Sequence, residues 1–220
     1  QNNKRYFYQL SRYEKILANR NKLLKNSQNI DVVKETIDIW DRALIASAKM
    51  IAFEREKFVK QIIPYAQKAH SYISGGKENL SLTYKCGCGI SLDEKFEINM
   101  DKLLKRNLEK DFKLGYTSIG VHRDDIDIYL NDVEVKNFGS QGQQRTVALS
   151  LKLAELENMF NINGEYPILL LDDVFSELDI DRQRRLLKFV DRTQTFITCT
   201  DERKLEGTLF YIKDGKIEKT

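Results

Sequence analysis

Apolar side chains recur every three or four residues through the first third of the chain, which is the spacing of amphipathic helices. One such helix is predicted over Tyr6–Leu24 and a second over Val33–Ile62. The polar stretch Asn26–Asn29 separates them, and Asp31 is expected to cap the second helix with its carboxylate. Because the linking segment is short, we predict that the two helices pack as an antiparallel hairpin. The glycine pair Gly75-Gly76 closes this helical section of the chain.

In the middle of the chain, helical spacing gives way in several places to alternation of apolar and polar residues. A charged amphipathic helix is predicted over Asn99–Lys113, and Gly115 is well placed to end it. The segments that predict strands are Leu80–Lys85, Tyr116–His122, and a hairpin of Ile126–Leu130 with Val133–Val135 that turns at Asn131 and Asp132.

Helices alternate with apolar strands in the last third of the chain, which is typical of a parallel sheet with crossover helices. The predicted segments are a helix over Gln143–Phe160, a buried strand over Ile168–Leu171, a helix over Asp181–Val190, a strand over Thr195–Thr200 and a hairpin through Asp214-Gly215. We therefore predict an α/β fold in two parts. Residues 1–114 form a helical arm with a small α+β lobe, and residues 115–220 form the α/β part.

Composition limits the function classes only weakly. The 220 residues are 41% hydrophobic and 31% charged, and the net charge of +3 is too small to imply nucleic-acid binding by itself. Two basic clusters have the spacing of solvated helix faces, with contact to a phosphate backbone as the alternative. They are Lys102, Lys105, Arg106 and Lys110, and Arg182, Arg184, Arg185 and Lys188.

The three cysteines are a poor disulfide framework, because their count is odd and two of them form a C-x-C pattern. Cys86 and Cys88 fit a turn with reduced thiols, and zinc binding is the alternative. The longest strongly apolar run, Ile168–Leu171, is too short to span a bilayer, and no signal peptide is visible. We therefore expect a cytoplasmic protein without a membrane partner.

Two adjacent carboxylates, Asp172 and Asp173, directly follow this apolar run. In open α/β sheets, ligands bind at the carboxyl ends of the strands. One carboxylate there can hold Mg²⁺ through water, and the next can polarise an attacking water. Acidic residues follow many buried strands, so the pattern is only moderately specific when it stands alone.

A segment rich in small residues, Phe138–Gly142, leads directly into the predicted helix at Gln143. A helix N-terminus offers free N–H groups and a partial positive charge, which suits a phosphate, and Ser140 can add a hydroxyl donor. The alternative is a serine N-cap with a glycine-rich lead-in. The stretch Ser176–Asp179, after the carboxylates, fits another helix start that Ser176 or Asp179 caps.

Together and in this order, these segments resemble the RecF family, within the wider ABC-type ATPases that include the SMC chromosome proteins. The stretch SQGQQR at Ser140–Arg145 is similar to the family's form of the ABC signature, and ILLLDDVFSELD at Ile168–Asp179 is similar to its Walker B strand and D-loop. GVHRDDIDIYLND at Gly120–Asp132 resembles its His-Arg-Asp block, and the opening YFYQLSRYEKILANRNKLLK resembles its helical arm. The implied fold is α/β, the C-terminal half of an ABC-type ATPase head with an antiparallel helical-hairpin lobe.

The resemblance also implies a role for each matching residue. Asp172 would bind Mg²⁺ through water, and Asp173 would be the catalytic residue that orients the attacking water. Asp179 would lie at a dimer interface, and Thr200 would stand in the switch region. The signature residues, which would bind the ATP held by the opposite subunit, are Ser140, Gln141, Gly142 and Gln143.

The block at His122 and Arg123 allows two interpretations. Arg123 can pair with Asp124, Asp125 or a neighbouring carboxylate in a structural contact. Alternatively, the block contacts DNA or nucleotide directly.

One element of an ATP site is missing from the sequence. No G-x-x-x-x-G-K followed by Ser or Thr occurs, and Gly75-Gly76-Lys77 lacks that spacing. In the family the P-loop lies in an N-terminal lobe, which would precede Gln1. Because the P-loop supplies most of the affinity for the phosphates, we expect a piece of a longer chain that is inactive alone and a slow ATPase when joined to that lobe.

The function implied by the resemblance is ATP-dependent DNA repair. The intact protein would clamp duplex or gapped DNA as an ATP-dependent homodimer and act with RecR and RecO to promote recombinase loading and the SOS response. Two alternatives stay open. One is an SMC-like or transporter-type ATPase half, although transporters usually read LSGGQ at the signature. The other is a non-enzymatic DNA or protein interaction module that docks through the hairpin.

Overall fold

The computed structural model of the chain describes residues 3–200 and 207–219, and within them the chain is a mixture of helices and strands. It divides into two units, of which the first ends at Glu165 and the second begins at Tyr166. The functional division expected after residue 114 falls inside the first unit and stays a prediction. None of the described helices is long and apolar enough to cross a membrane.

The order of elements follows the predicted order closely. The first unit contains α1 (Lys4–Asn26), α2 (Ile30–Ser74), β1 (Leu80–Lys85), α3 (Phe96–Leu114), β2 (Asp125–Leu130), β3 (Val133–Glu134), the short α4 (Val135–Phe138) and α5 (Gln141–Asn163). The second unit contains β4 (Leu169–Leu171), α6 (Ile180–Val190), β5 (Thr195–Ile197), β6 (Phe210–Lys213) and β7 (Lys216–Lys219).

Helices α1 and α2 run in opposite directions along one another. The start of α1 is tied to the middle of α2 by a hydrogen bond from Asn3 to Glu54, whereas Arg20 near its end pairs with Asp41. The cap of α2 is Asn29, whose side chain accepts from the Asp31 backbone N–H, so the predicted cap at Asp31 is wrong. The first free N–H groups of a helix need an acceptor that precedes them, and Asn29 stands in that place.

Helix α2 is much longer than its apolar spacing indicated, and it contains Pro64. Proline removes one backbone hydrogen bond inside a helix. Pro64 and Lys60, whose carbonyl loses its partner, are both exposed, so water can replace the lost donor. The helix ends at Gly75, which has a left-handed φ of 77°, as the sequence predicts.

The two halves of α2 pack against different neighbours. Its first half packs with α1 and α3 around Tyr13 and Phe96, which are 1% and 0% exposed. Its second half packs with β1 and α5 around Ala66 and Val147. Helix α5 runs antiparallel to α2, as the pairs Gln61 with Asn158 and His70 with Ser150 show. Helix α2 therefore links α1 and α3 to α5, the helix that begins with the signature-like segment.

A small antiparallel sheet of order β1-β2-β3 lies beside α2. The turn between β2 and β3 is formed by Asn131 and Asp132, which have positive φ angles of 47° and 65°, so the predicted hairpin is confirmed. The predicted end of α3 at Gly115, which has a φ of 71°, is confirmed as well.

The segment Tyr116–His122, which was predicted as a strand, is irregular and ends in a single 3-10 turn. The backbone N–H groups of Thr117 and Ser118 donate to the side chains of Asn21 and Asp111 rather than to a neighbouring strand. Acceptors on α1 and α3 thus replace a sheet ladder, and the local spacing of apolar residues does not reveal them.

A buried arginine joins three helices of the first unit. Arg20 of α1 is 0% exposed; its Nε donates to Asp41 of α2 at 2.7 Å, and its Nη1 donates to Asp111 of α3 at 2.9 Å. Nη1 also donates to Thr117 Oγ1 at 2.8 Å. Burial raises the pKa of Asp41, and the adjacent Arg20 opposes that rise. Because a buried charge is costly unless it is paired, this network fixes how the three helices and the loop after α3 fit together.

In the second unit, β4 and β5 pair in parallel and α6 lies between them in sequence, as predicted. The hairpin of β6 and β7 turns at Asp214 and Gly215, also as predicted. The apolar run at β4, however, is not buried on both faces within the described residues. Leu171 is 8% exposed, but Ile168 is 59% and Leu170 is 72% exposed.

We predict that Arg20→Met destabilises the first unit, because it leaves Asp41 and Asp111 buried without their cation. The expected loss in free energy of unfolding is about 3–5 kcal/mol, measured by urea titration. Arg12→Met, on the exposed face of α1, is the matched control and should change this free energy by less than about 0.5 kcal/mol. Similar losses in both variants would contradict the assignment.

Candidate functional site

The signature-like segment forms the exposed first turn of α5. Ser140 Oγ accepts from the Gln143 backbone N–H at 3.2 Å, and Gln143 Oε1 accepts from the Ser140 backbone N–H at 2.9 Å. This reciprocal pair is a capping box, so the serine N-cap considered from the sequence is present. Ser140 and Gln141 are exposed and Gly142 is half-buried. The N–H groups of Gln141 and Gly142 have no acceptor within the helix, so an anion can bind at this end.

The tight turn from α4 into α5 is possible because residue 139 is glycine. A Cβ on Gly139 would lie 2.6 Å from the Val135 carbonyl oxygen. The Gln144 amide bridges this turn by donating to the carbonyl oxygens of Val135 at 3.2 Å and Gly139 at 3.3 Å. The turn directs Ser140 to the surface while Thr146 and Val147, in the next turn of the helix, are buried.

The side chain of Gln143 has a partner that the sequence analysis missed. Its Nε2 donates to Glu78 Oε1 at 2.9 Å, across a separation of 65 residues. No local pattern marks Glu78, because the contact arises only when the loop after α2 lies beside the start of α5.

The adjacent carboxylates Asp172 and Asp173 stand at the carboxyl end of β4, as predicted, and both are exposed. Thr198 Oγ1 donates to Asp172 Oδ1 at 2.5 Å and accepts from the Asp173 backbone N–H at 2.9 Å. Asp173 has a positive φ of 45°, which turns the chain sharply after the strand. Thr198 was missed, although the parallel register places it directly beside Asp172, since Leu171 pairs with Ile197.

The residues after the carboxylates form a 3-10 turn over Val174–Glu177 and then begin α6. Ser176 Oγ donates to Asp173 Oδ2 at 2.9 Å and so orients that carboxylate. Asp179 accepts from the Arg182 backbone N–H at 2.9 Å and is therefore the cap of α6. Of the two candidate caps at this helix, the structure selects Asp179.

Thr200 lies three residues after β5 and is exposed. The next residue in the sequence, Asp201, lies outside the described residues. The structure therefore brings together two local groups of the predicted site residues. The signature residues Ser140–Gln143 form one group in the first unit, and Asp172 with Asp173 form the other in the second unit.

His122 serves a structural contact within the first unit. Its Nε2 faces the Thr117 carbonyl oxygen at 3.1 Å and must donate to it, so its Nδ1 accepts from the Tyr13 hydroxyl at 2.8 Å. The ring is then neutral, in keeping with its partial desolvation, which lowers the pKa of His122. Burial also raises the pKa of Tyr13, so the phenol retains the proton that it donates.

The described ion pairs do not include Arg123 with Asp124, which was one of the partners considered for it. Asp124 instead accepts from Arg55 at 2.6 Å, from the Tyr84 hydroxyl at 2.5 Å and from the Gly87 backbone N–H at 2.7 Å. Arg123 is exposed and its guanidinium lies over the ring of Tyr116, 5.8 Å from the centroid. The Asp124 carboxylate thus joins α2 to β1. The sequence interpretation considered only partners close to Arg123 and did not include this contact.

Cys86 and Cys88 are free thiols in the turn after β1. Cys88 is buried and its Sγ lies 3.2 Å from Met100 Sδ. The nearby thiol of Cys88 lowers the pKa of Cys86 below its usual value. Within residues 3–200 and 207–219, no group of three or more His, Cys, Asp or Glu side chains could hold a metal ion.

The two basic clusters differ in exposure. Lys102, Lys105, Arg106 and Lys110 are all exposed on α3, and Lys105 pairs with Asp101 at 2.8 Å. On α6, Arg184 and Lys188 are exposed, whereas Arg182 and Arg185 are half-buried. Both arrangements fit helix faces.

Comparison with curated proteins gives close relatives over most of the chain. The DNA replication and repair protein RecF of Ruminiclostridium cellulolyticum is 43% identical over 208 residues, which cover 93% of this chain and 56% of that protein. The protein of the same name from Clostridium perfringens is 42% identical over 222 residues, which cover 98% of this chain and 60% of that protein. No family model matches the sequence.

Two solved structures of the recombination mediator protein RecF in the RecFOR pathway have the same fold. The one described as RecF-ATPrS has a TM-score of 0.83 at 36% identity, and the one described as RecF-ATP has a TM-score of 0.84 at 35% identity. Each match covers 99% of this chain and 59% of the solved chain.

These matches place the fold in the mixed helix-and-sheet class of ABC-type ATPases. The chain belongs to the RecF family. It spans 56% and 60% of the length of the two curated relatives described here.

We predict that His122 makes stability depend on pH. Because its pKa is lowered in the folded chain, the unfolded chain binds the proton more tightly, and the free energy of unfolding falls as the pH drops below about 6.5. Above that pH the contribution is constant. His122→Gln can still donate to the Thr117 carbonyl but does not titrate, so it should remove this part of the pH dependence. Urea titrations of both proteins from about pH 7.5 to 5 give the comparison, and parallel curves would refute the prediction.

Proposed function

We propose that the protein acts in DNA repair as an ATP-dependent dimer that clamps duplex or gapped DNA. In this proposal it works with RecR and RecO to promote recombinase loading and the SOS response, and hydrolysis of ATP releases the DNA. The proposal takes support from the relatives, which are named as DNA replication and repair proteins and as a recombination mediator of the RecFOR pathway. The site of action is the cytoplasm.

The observation that carries the proposal is the exposed first turn of α5. Ser140 is surface-exposed, its Oγ already accepts a backbone N–H, and its own hydroxyl proton can still be donated. With the free N–H groups of Gln141 and Gly142, it forms a site that suits the γ-phosphate of an ATP molecule. We assign Ser140, Gln141, Gly142 and Gln143 to the ATP that the opposite subunit holds.

The residues around Asp172 fit a hydrated Mg²⁺ ion. Carboxylate oxygens are the ligands that Mg²⁺ prefers, and the ion keeps part of its water shell, which suits an exposed carboxylate that Thr198 orients. Mg²⁺ would neutralise charge on the phosphates of ATP there. Asp173, which Ser176 orients, is assigned to the attacking water. Because Asp is shorter than the Glu found in many ABC-type ATPases, hydrolysis is expected to be slow.

The remaining assigned residues serve the assembled site. Asp179 is held as the cap of α6, and we place it at the dimer interface. Thr200, exposed after β5, is placed in the switch region. Since the 220 residues contain no P-loop motif, the ATPase activity belongs to the protein that also includes a P-loop lobe. The pair of α1 and α2 would be the hairpin lobe of that protein.

In the full-length protein, we predict that Ser140→Arg blocks ATP-dependent dimerisation, because a bulky cation replaces the hydroxyl that should meet the phosphate. Binding of ATP to the single subunit should remain within about threefold of the wild type, since the P-loop lies elsewhere. Sedimentation with and without ATP measures the dimer. Ala148→Arg adds the same charge at an exposed position of α5 and is the matched control. Normal dimers of the Ser140 variant would exclude the signature role.

We also predict that Asp173→Asn in the full-length protein lowers the rate of ATP turnover by roughly 100-fold or more, because the amide cannot take a proton from the attacking water. Asp172→Ala should abolish turnover through loss of the Mg²⁺ ligand. Asp181→Asn, an exposed acid at the start of α6, serves as the control. If the two site variants stay folded and keep DNA repair in cells at the wild-type level, the protein acts as a non-enzymatic interaction module instead.

A further inference from the structure

A partly buried chain of polar side chains runs from α2 to the signature-like turn of α5. It begins at His70 on α2, which is 0% exposed, and continues to Glu78 in the loop between α2 and β1. Glu78 in turn contacts Gln143 in the first turn of α5. None of the site roles assigned above uses His70 or Glu78.

The contact with Glu78 fixes the orientation of the Gln143 amide. The amide oxygen accepts from the Ser140 backbone N–H, and the amide nitrogen donates to the Glu78 carboxylate, each at 2.9 Å. The reversed amide would set its NH₂ group against the Ser140 N–H and its oxygen against the carboxylate. Only one orientation therefore satisfies both neighbours.

Glu78 is itself held from the other side. Its Oε2 lies 3.2 Å from His70 Nε2, and His70 Nδ1 lies 3.2 Å from Ser150 Oγ. Ser150 donates its hydroxyl proton to the Thr146 carbonyl oxygen at 2.7 Å, so His70 Nδ1 is the donor toward Ser150. The hydrogen bond between His70 Nε2 and Glu78 Oε2 is then the last link of the chain from Ser150 to Gln143. The Glu78 side chain is 15% exposed, so water screens these bonds only weakly.

We propose that Glu78, supported by His70, is a positioning residue for the signature turn. It keeps Gln143 in the capping box and thereby holds the Ser140 backbone and hydroxyl in the geometry that meets the phosphate. Gln143 then shapes the turn through its amide oxygen and one amide proton, and its second amide proton remains available to the ATP assigned above. The proposal rests on the proposed role of the signature in ATP-dependent dimerisation.

The first test measures dimerisation of the full-length protein by sedimentation in the presence of ATP. Glu78→Ala is expected to weaken the dimer by about tenfold, the effect of losing the hydrogen bond that holds Gln143, with ATP binding to the single subunit unchanged. Glu78→Gln keeps an acceptor for Gln143 and a donor for His70, so it should restore most of the loss. Lys77→Ala changes an exposed neighbour in the same loop and is the matched control.

The second test does not depend on dimerisation. Hydrogen exchange of the segment 139–146, followed by mass spectrometry in the full-length protein without ATP, reports the Ser140 and Gln143 amides that the capping box protects. Glu78→Ala should speed exchange there several-fold, whereas Glu78→Gln and Lys77→Ala should not. Unchanged exchange in Glu78→Ala would overturn the positioning role. If exchange responds but the wild type forms no ATP-dependent dimer, the proposed function fails while the positioning role stands.

Discussion

The fold of the first unit depends on one buried charge. Arg20 has no contact with solvent, so its positive charge must be balanced inside the protein, and carboxylates from two other helices supply that balance. Asp111 also accepts from Ser118, and Thr117 accepts from Arg20. Three helices and the loop after α3 are therefore tied to a single guanidinium. A shift of any of them by one helical turn would leave a buried charge unpaired.

Helix α2 connects the Arg20 network to the signature turn of α5. Its first half is fixed by the Arg20 network and the core around Tyr13, and its second half packs against α5. His70, on that second half, begins the polar chain that ends at Gln143. In our proposal, the buried His70 and the half-buried Glu78 hold this exposed turn in place, and the groups at its surface remain to bind a ligand.

The structural and functional interpretations of the signature turn are compatible with each other. A serine that caps a helix uses one lone pair of its hydroxyl oxygen and keeps its proton, so Ser140 can stabilise α5 and still donate to an anion. Asp172 likewise combines a structural contact with its proposed ligand role, since Thr198 occupies one of its carboxylate oxygens and orients the side chain. In the His-Arg-Asp block, in contrast, His122 and Asp124 are both engaged in hydrogen bonds within the first unit, which favours a structural role for both.

Local physical chemistry was sufficient to predict most of the helices, the end of α2 at Gly75, the hairpin turn at Asn131 and the capped helix after Ser140, but not the length of α2. Spacing and turn residues act within a few positions, so the sequence alone carries them. The loop that replaces the strand predicted over Tyr116–His122, and the contacts that Thr198 and Glu78 make with the site residues, were decided by the tertiary structure. Each depends on hydrogen bonds between residues far apart in the chain, whose partners no local pattern identifies.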